Sequence, residues 1–172
     1  DFFDLIPLII SSKLLLLIET PTIIIYNNTM IKRWVIWLRI LVLSDSHGDI
    51  YSMKKAIDAQ PTAEVVIFLG DGYADFEKCK PLLDGKQLYC VKGNNDFYCN
   101  YPKNAIIEEG GLKIYITHGH YEYVKSGLGG LLSVLKRNNC KLALYGHTHN
   151  QQEDNYDGFK MFNPGSIRND EY

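Results

Sequence analysis

The sequence is poor in the features that would hold a fold together covalently. Its 172 residues include only four cysteines, Cys79, Cys90, Cys99 and Cys140, and no two stand in a C-x-x-C pair. That spacing fits neither a zinc ribbon nor a compact disulfide framework. Four reduced thiols in a cytoplasmic protein are expected instead, with Cys90 and Cys140 as small hydrophobes in or beside apolar strands. An excess of basic charge is also missing. Eighteen Lys and Arg stand against 20 Asp and Glu, a net charge of −2. Bulk nucleic-acid binding, which needs a basic face, is therefore not expected, and a phosphate-bearing ligand must be held by local chemistry. No apolar run is long enough to span a membrane. Leu5–Ile18 is interrupted by Lys13 and is shorter than about 20 residues. A secretory signal is not indicated, because the start is acidic (Asp1, Asp4) and no A-x-A follows. Solenoid-type repeats are absent too. What remains is globular in character. A hydrophobic fraction of 46% with 22% charged residues excludes disorder, and the length suits one domain with a proper core.

Residues 1–38 differ in character from the rest. The β-branched run Thr22–Tyr26 would suit a short strand, and Asn27-Asn28 and Lys32-Arg33 separate it from Trp34–Leu38. Three readings stand side by side: a membrane-associating extension, a strand-and-helix element packed on the domain, or translated sequence upstream of a true start near Met30 or Leu38. Residues 39–172 read as a self-contained domain opening on the strand of Arg39-Ile40-Leu41-Val42-Leu43.

Within that domain five segments share one grammar, a short apolar strand followed by a turn rich in Asp, His, Asn or Gly. Ile40–Leu43 leads to Ser44-Asp45-Ser46-His47, and Glu64–Leu69 leads to Gly70-Asp71. Gln87–Lys92 leads to Gly93-Asn94-Asn95-Asp96, Leu112–Thr117 to His118-Gly119-His120, and Cys140–Tyr145 to Gly146-His147-Thr148-His149. Such continuous apolar runs suit strands buried on both faces. Helices are expected over Tyr51–Ala59, capped by Asp49 and ended by Pro61, over Ala74–Leu83, and within 121–138. In the last, Leu128, Leu131, Leu132 and Leu135 form a stripe at helical spacing. Gly110-Gly111 and Tyr156-Asp157-Gly158 read as hairpin turns. The alternation predicts an α/β core with some antiparallel pairing.

All five histidines fall in the turns after strands. A single histidine is usually packed or solvated, but five at successive strand ends, with Asp45, Asp71 and Asn94, point to one site. Ligands in open α/β sheets sit beyond the carboxyl ends of strands. Asp45 and His47, and likewise His147 and His149, are two residues apart, a spacing that in a strand sends both side chains to one side. Mixed imidazole and carboxylate donors suit Mn, Fe, Zn, Ni or Co and not calcium. Seven donors exceed one tetrahedral ion and are about right for two metals.

The ordered motifs D-x-H, G-D, G-N, H-G-H and G-H-x-H, followed by Asn163-Pro164-Gly165-Ser166, closely resemble the calcineurin-like metallophosphoesterase superfamily, and in particular its small single-domain phosphodiesterase branch (YfcE-type). The similarity runs from about Arg39 to Arg168, roughly three quarters of the chain. It implies a four-layer αββα sandwich of two mixed β-sheets flanked by helices, with the metals at the strand ends. By the same resemblance Asp45, His47 and His149 would hold one metal, Asn94, His118 and His147 the other, and Asp71 would bridge them. His120 would not be a ligand but would contact substrate or orient a ligand. Manganese is the first expectation for the two divalent ions, with Ni, Fe, Zn or Co also fitting.

The implied activity is hydrolysis of a small phosphodiester by a hydroxide activated between two metals. Two divalent ions, against two aspartates and a bridging hydroxide, leave one positive charge to attract a phosphate. Metals about 3.5–4 Å apart can serve both attacking and leaving oxygens of an in-line displacement. Asn94 enters this chemistry as a neutral oxygen donor, since a third carboxylate would weaken phosphate binding. Gly70, Gly93 and Gly146, each preceding a donor, suggest tight turns or close backbone approach.

Two departures matter. Many superfamily members carry His after the Asn of G-N, where this chain has Asn95, and an amide is not a useful general acid. Substrates with good leaving groups, such as aryl diesters, are therefore expected unless His120 serves as acid. The chain also stops at Tyr172, shortly after N-P-G-S, where family members usually continue with another strand. An edge left unpaired there would expose backbone groups.

Competing functions are a non-catalytic scaffold on the same fold, as in the retromer subunit that resembles this family, a phosphomonoesterase or a nuclease. The full donor set speaks against the scaffold, and the missing basic groove against a nuclease. Ser44, Ser46 and Ser166 lack a nucleophile elbow, and Gly127–Gly130 lacks a Rossmann context. Tyr98, Tyr101, Tyr121 and Tyr123 are candidates for a substrate mouth, and Lys125 and Arg168 for phosphate contacts. A homo-oligomer is compatible with the sequence, and no membrane partner is indicated.

Overall fold

The structure is a computed structural model. It describes the backbone of residues 5–9, 14–26 and 29–168, and side chains from residue 38 to 168. The side chains of residues 1–37 lie outside the described residues, as do residues 1–4, 10–13, 27–28 and 169–172 altogether, while the backbone of 5–9, 14–26 and 29–37 is strand. Among the described residues no helix is long and apolar enough to cross a membrane.

The first sheet comprises β1 (Leu5–Ile9), β2 (Leu14–Tyr26), β3 (Thr29–Leu43), β4 (Val65–Phe68) and β5 (Gln87–Cys90), in that order across the sheet. The second comprises β6 (Asn104–Glu109), β7 (Leu112–Thr117), β8 (Leu142–Leu144), β9 (Gln151–Tyr156) and β10 (Phe159–Pro164), in the order β6-β7-β8-β10-β9. Strands β3, β4 and β5 are parallel, and so are β7, β8 and β10. Each sheet therefore brings its ligand-bearing turns to one edge.

Strand periodicity explains how the layers form, because alternate residues face opposite sides. Ile40, Val42, Val65 and Ile67 of the first sheet meet Ile114, Ile116, Leu142, Leu144 and Phe162 of the second in the core between the sheets. Their neighbours Leu41, Leu43, Val66 and Phe68 face the other way, onto Met53, Ala56, Ile57 and Phe76. Tyr115, Ala143 and Met161 likewise turn outward onto Leu131 and Leu135. Three apolar layers thus alternate with helix, sheet, sheet and helix, the expected four-layer arrangement.

The helices follow local signals. Asp49 caps α1 (Ile50–Asp58) by accepting from the Ser52 N–H at 2.9 Å. The predicted helix over 74–83 is α2 (Tyr73–Cys79) continued by a 3₁₀ turn, Lys80–Leu83, with Pro81 inside it. The expected helix within 121–138 is shorter, a 3₁₀ turn at Val124–Ser126 and then α3 (Gly129–Asn138), because Gly127, with φ of +128°, lies between them. Both glycine-marked hairpins form, at 110–111 between β6 and β7 and at 157–158 between β9 and β10. All four cysteines are free and buried.

Candidate metal centre

The turns after β3, β4, β5, β7 and β8 converge on a cluster of Asp, Asn and His side chains. Backbone hydrogen bonds tie the turns together: Asp45 N–H donates to Gly70 O at 2.9 Å, His47 N–H to Asp71 O at 3.1 Å, and Gly146 N–H to His118 O at 3.0 Å. The segment Asn163–Ser166 buckles the last turn to the first. The Asn163 amide donates to Gly146 O at 2.9 Å, and the Ser166 hydroxyl donates to Asp45 O at 2.8 Å.

The sequence spacing suggested strand-like projection of Asp45 with His47 and of His147 with His149. The structure corrects the reason. These four residues and Asp71 lie beyond their strands with φ between 45° and 70°, in the left-handed region. Asp and His tolerate that region better than most residues, and the cross-turn hydrogen bonds hold them in it. Sharp reversal of the chain, not pleat alternation, aims the side chains at a common centre.

Two triads of donor atoms, each within 4.8 Å of one another, result: Asp45, His47 and His149, and Asp45, Asp71 and His118. Asp45 Oδ1 lies 3.7 Å from His47 Nε2, 3.3 Å from His149 Nε2 and 3.9 Å from His118 Nε2. Asp71 Oδ2 stands between His47 Nε2 at 3.9 Å and His118 Nε2 at 3.5 Å. Asn94 Oδ1 is 3.2 Å from His118 Nε2. His147 stands aside from both triads. Its ring is 5.0 Å from that of His118, and its backbone N–H donates to Asp45 Oδ2 at 3.0 Å. His120 lies behind, 5.4 Å from the His118 ring and 6.0 Å from the His147 ring.

Close glycine contacts are real at all three expected positions, and a Cβ on Gly70, whose φ is +97°, would overlap the Gly93 backbone nitrogen. A Cβ on Gly93 would overlap the Asp71 carboxylate, and one on Gly146 would overlap the Ser44 hydroxyl. Asn95 donates to both Asp71 oxygens. Asp96 is nearly buried, and its carboxylate accepts the N–H groups of Asp71, Gly72, Tyr73 and Gly93. Asp75 accepts from the Ser46 hydroxyl and Gly48 N–H, and the Ser44 hydroxyl donates to Asp45. Beneath the H-G-H turn, Glu122 accepts from Tyr115 and Thr117, and Thr117 in turn accepts from Gly119 N–H. The sequence drew attention to Asn95 as a would-be acid and to Ser44 and Ser46 as would-be nucleophiles, and gave none of these residues its supporting role. Only the position of Asp96, just after the G-N pair, offered a signal.

Electrostatics follow burial and neighbours. Burial works to raise the Asp45 carboxyl, but contact with His47, the charge of His118 and the Ser44 and His147 donors bring it below the ordinary value. Asp71 behaves likewise, burial being outweighed by His118 and Asn95, and lies well below the usual range. His47 is raised, chiefly by Asp45. Burial opposes protonation of His118, yet Asp71, Asp45 and the Leu69 carbonyl raise it. Burial and the neighbouring His118 lower His147 to about 4 and lower His120 as well.

The donor set fits a cation. Asp45 Oδ1 is buried and has no hydrogen-bond partner, yet three imidazole nitrogens face it. His47 Nε2 and His149 Nε2 are 3.1 Å apart, so a proton or a cation lies naturally between the two nitrogens. His118 Nδ1 lies 2.8 Å from Leu69 O, which can only accept, so Nδ1 carries a proton and Nε2 is the nitrogen turned to the cluster, free to bind an ion once it is deprotonated.

A calcineurin-like phosphoesterase superfamily domain matches residues 38–171. The chain belongs to that superfamily. Its class is therefore that of metal-dependent phosphoesterases, and the two-sheet fold agrees with it. This superfamily member is similar to "Probable metallophosphoesterase YsnB" of Bacillus subtilis, 30% identical over 131 residues, or 76% of each chain. It is 26% identical to "Phosphodiesterase MJ0936" of Methanocaldococcus jannaschii over 144 residues, covering 74% of this chain and 83% of that one. The solved structure of a conserved protein (predicted phosphoesterase) from Streptococcus pneumoniae TIGR4 is 33% identical. It has a TM-score of 0.64 and covers 75% of this chain and 72% of its own.

Proposed function

We propose that the protein is a phosphodiesterase acting on a small phosphodiester with two divalent metal ions. The observation that carries the reading is the buried, unpartnered Asp45 Oδ1 ringed by three Nε2 atoms. Asp45, His47 and His149 would hold one ion and Asn94, His118 and His147 the other, with Asp71 between them. Manganese is the first expectation for both. Ions held there would supply Lewis acidity to the phosphoryl group and lower the pKa of the attacking water.

The chain's own residues do the rest. Asp45 and Asp71, with depressed pKa values, stay anionic at neutral pH and draw cations in. Asn94 adds an oxygen without charge, which leaves the cleft attractive to a phosphate. His120, its pKa lowered, is neutral at pH 7, and its buried Nδ1 has no hydrogen-bond partner. In this reading it orients substrate at the edge of the cluster. Lys125 acts electrostatically on His147, and Arg168 on His47, so both cations lie near enough to add to the attraction. Four free buried thiols support a reducing, cytoplasmic setting.

The test is to purify the protein without added metal, quantify bound ions, and assay mono- and diesters with Mn²⁺, Ni²⁺ or a chelator. Diester hydrolysis restored by metal and abolished by chelation is expected, with Asp71→Asn slower by several orders of magnitude. A protein that binds no metal, or an Asp71→Asn variant with near-normal rates, would overturn the reading.

A further inference from the structure

An open groove of about 710 Å³ runs along the outer face of β6 and β7 beside α3. Its near end lies beside His120, at the edge of the metal cluster. Asn104, on its wall, pairs with Thr117, the residue before His118. Tyr121 also lines it, one residue after His120, and the two rings are 4.0 Å apart. α3 connects two parallel strands, so it runs back from the cluster, and its first turn touches Glu122 through Gly130. Arg137 therefore lies at the far end of the groove, about 10 Å along the helix from Gly130 at 1.5 Å per residue.

The lining has a definite chemistry. Tyr121, Tyr123 and Ile106 are 47%, 75% and 47% exposed, an apolar and aromatic strip left open to solvent. The Lys103 ammonium sits 4.2 Å from the Tyr121 ring centre at the proximal end. Glu122 is the one acid on the wall, and it is buried with its oxygens engaged by Tyr115 and Thr117. Among the described residues, Arg137 has no carboxylate within ion-pair distance. Aromatic faces followed by an unpaired guanidinium suit a flat ring followed by an anion.

Resting on the diesterase reading, we propose that this groove seats the part of the substrate remote from the reacting phosphorus. That part carries an aromatic ring and, beyond it, a second anionic group that meets Arg137. The groove thus selects elongated, doubly anionic diesters over compact ones.

Three probes test it with the Mn²⁺-loaded protein: bis(4-nitrophenyl) phosphate, 4-nitrophenyl 4-biphenylyl phosphate, and the same biphenylyl ester bearing a 4′-carboxylate beyond its second ring. The carboxylate should raise kcat/KM roughly tenfold through KM, the size of one charge-assisted contact. Arg137→Ala should remove that advantage and leave the bis(4-nitrophenyl) ester unchanged. In chelator, the Kd of the carboxylated compound by calorimetry should weaken about tenfold in Arg137→Ala. Hydrolysis of all three with the same preference in both proteins overturns the groove assignment alone and leaves the groove to another occupant, such as an acidic peptide. Hydrolysis of none of them overturns the diesterase reading and this assignment with it.

Discussion

Asn95 clamps Asp71. Its backbone N–H donates to Oδ1 at 2.8 Å and its side-chain amide to Oδ2 at 2.6 Å. Position 95 is where many superfamily members have His, and the amide here plays a different part, fixing the carboxylate that lies between His47 and His118. Asn95→Ala keeps the backbone bond and loses the other, so Asp71 can rotate. Support of this kind is typically worth about 10–100-fold in metal affinity. We expect Mn²⁺ affinity, measured by titration calorimetry, to fall by that factor with little change in thermal stability. Unchanged affinity would remove Asn95 from the positioning of Asp71.

Asp96 governs the neighbouring backbone. Four N–H groups, from Asp71, Gly72, Tyr73 and Gly93, converge on its carboxylate at 2.8–3.0 Å. Asp96→Ala would strand these donors in a largely buried turn. A loss of about 3 kcal/mol or more in urea unfolding is expected, together with loss of metal uptake. Asp96→Asn, which keeps one acceptor oxygen, should fall between. Equal stability of all three proteins would contradict the role.

Much of this was legible in the sequence, for physical reasons. β-Strand runs such as Val65–Phe68 read clearly because both faces are buried, and the polar turns after them stand out against that apolar background. β9 (Gln151–Tyr156) showed only through the Tyr156-Asp157-Gly158 turn that ends it, because its exposed residues show no apolar alternation. β6 showed only through the Gly110-Gly111 turn that follows it. The donors Asp45, His47 and Asp71 could be named from residue type and order, but their left-handed backbone could not, since it is imposed by bonds from distant turns. Asp75, Glu122 and Asn163 were illegible as supports for the same reason. A buried acid announces its partners only once the chain is folded.

The thiols should be silent in the native protein. Cys79, Cys90, Cys99 and Cys140 are all buried, and burial raises the pKa of each, so little thiolate is available to react. Reaction with a disulfide reagent at pH 8 should be negligible until denaturant is added, when four equivalents react. Rapid native-state labelling of any thiol would show that its part of the core opens more readily than the packing implies.

Metal uptake should depend on pH in a direction set by the histidines. His47 and His118 are held protonated above their ordinary 6.5 by Asp45 and Asp71, and an incoming cation must displace those protons. His147, lowered to about 4, is already neutral at pH 6 and costs no such displacement. The two aspartates, with depressed values, are ionised throughout this range. Protons bound to the metal-free state therefore compete below and around pH 6.5 and progressively cease to do so as pH rises through the raised values. Affinity for Mn²⁺ should increase from pH 6 to pH 8, and calorimetry in buffers of different ionisation enthalpy should detect proton release on binding at the lower pH. His147→Gln should weaken binding yet keep this pH slope, whereas His47→Gln should flatten it. An affinity independent of pH across that interval, with no buffer dependence, would mean that these imidazoles give up no proton to the ion.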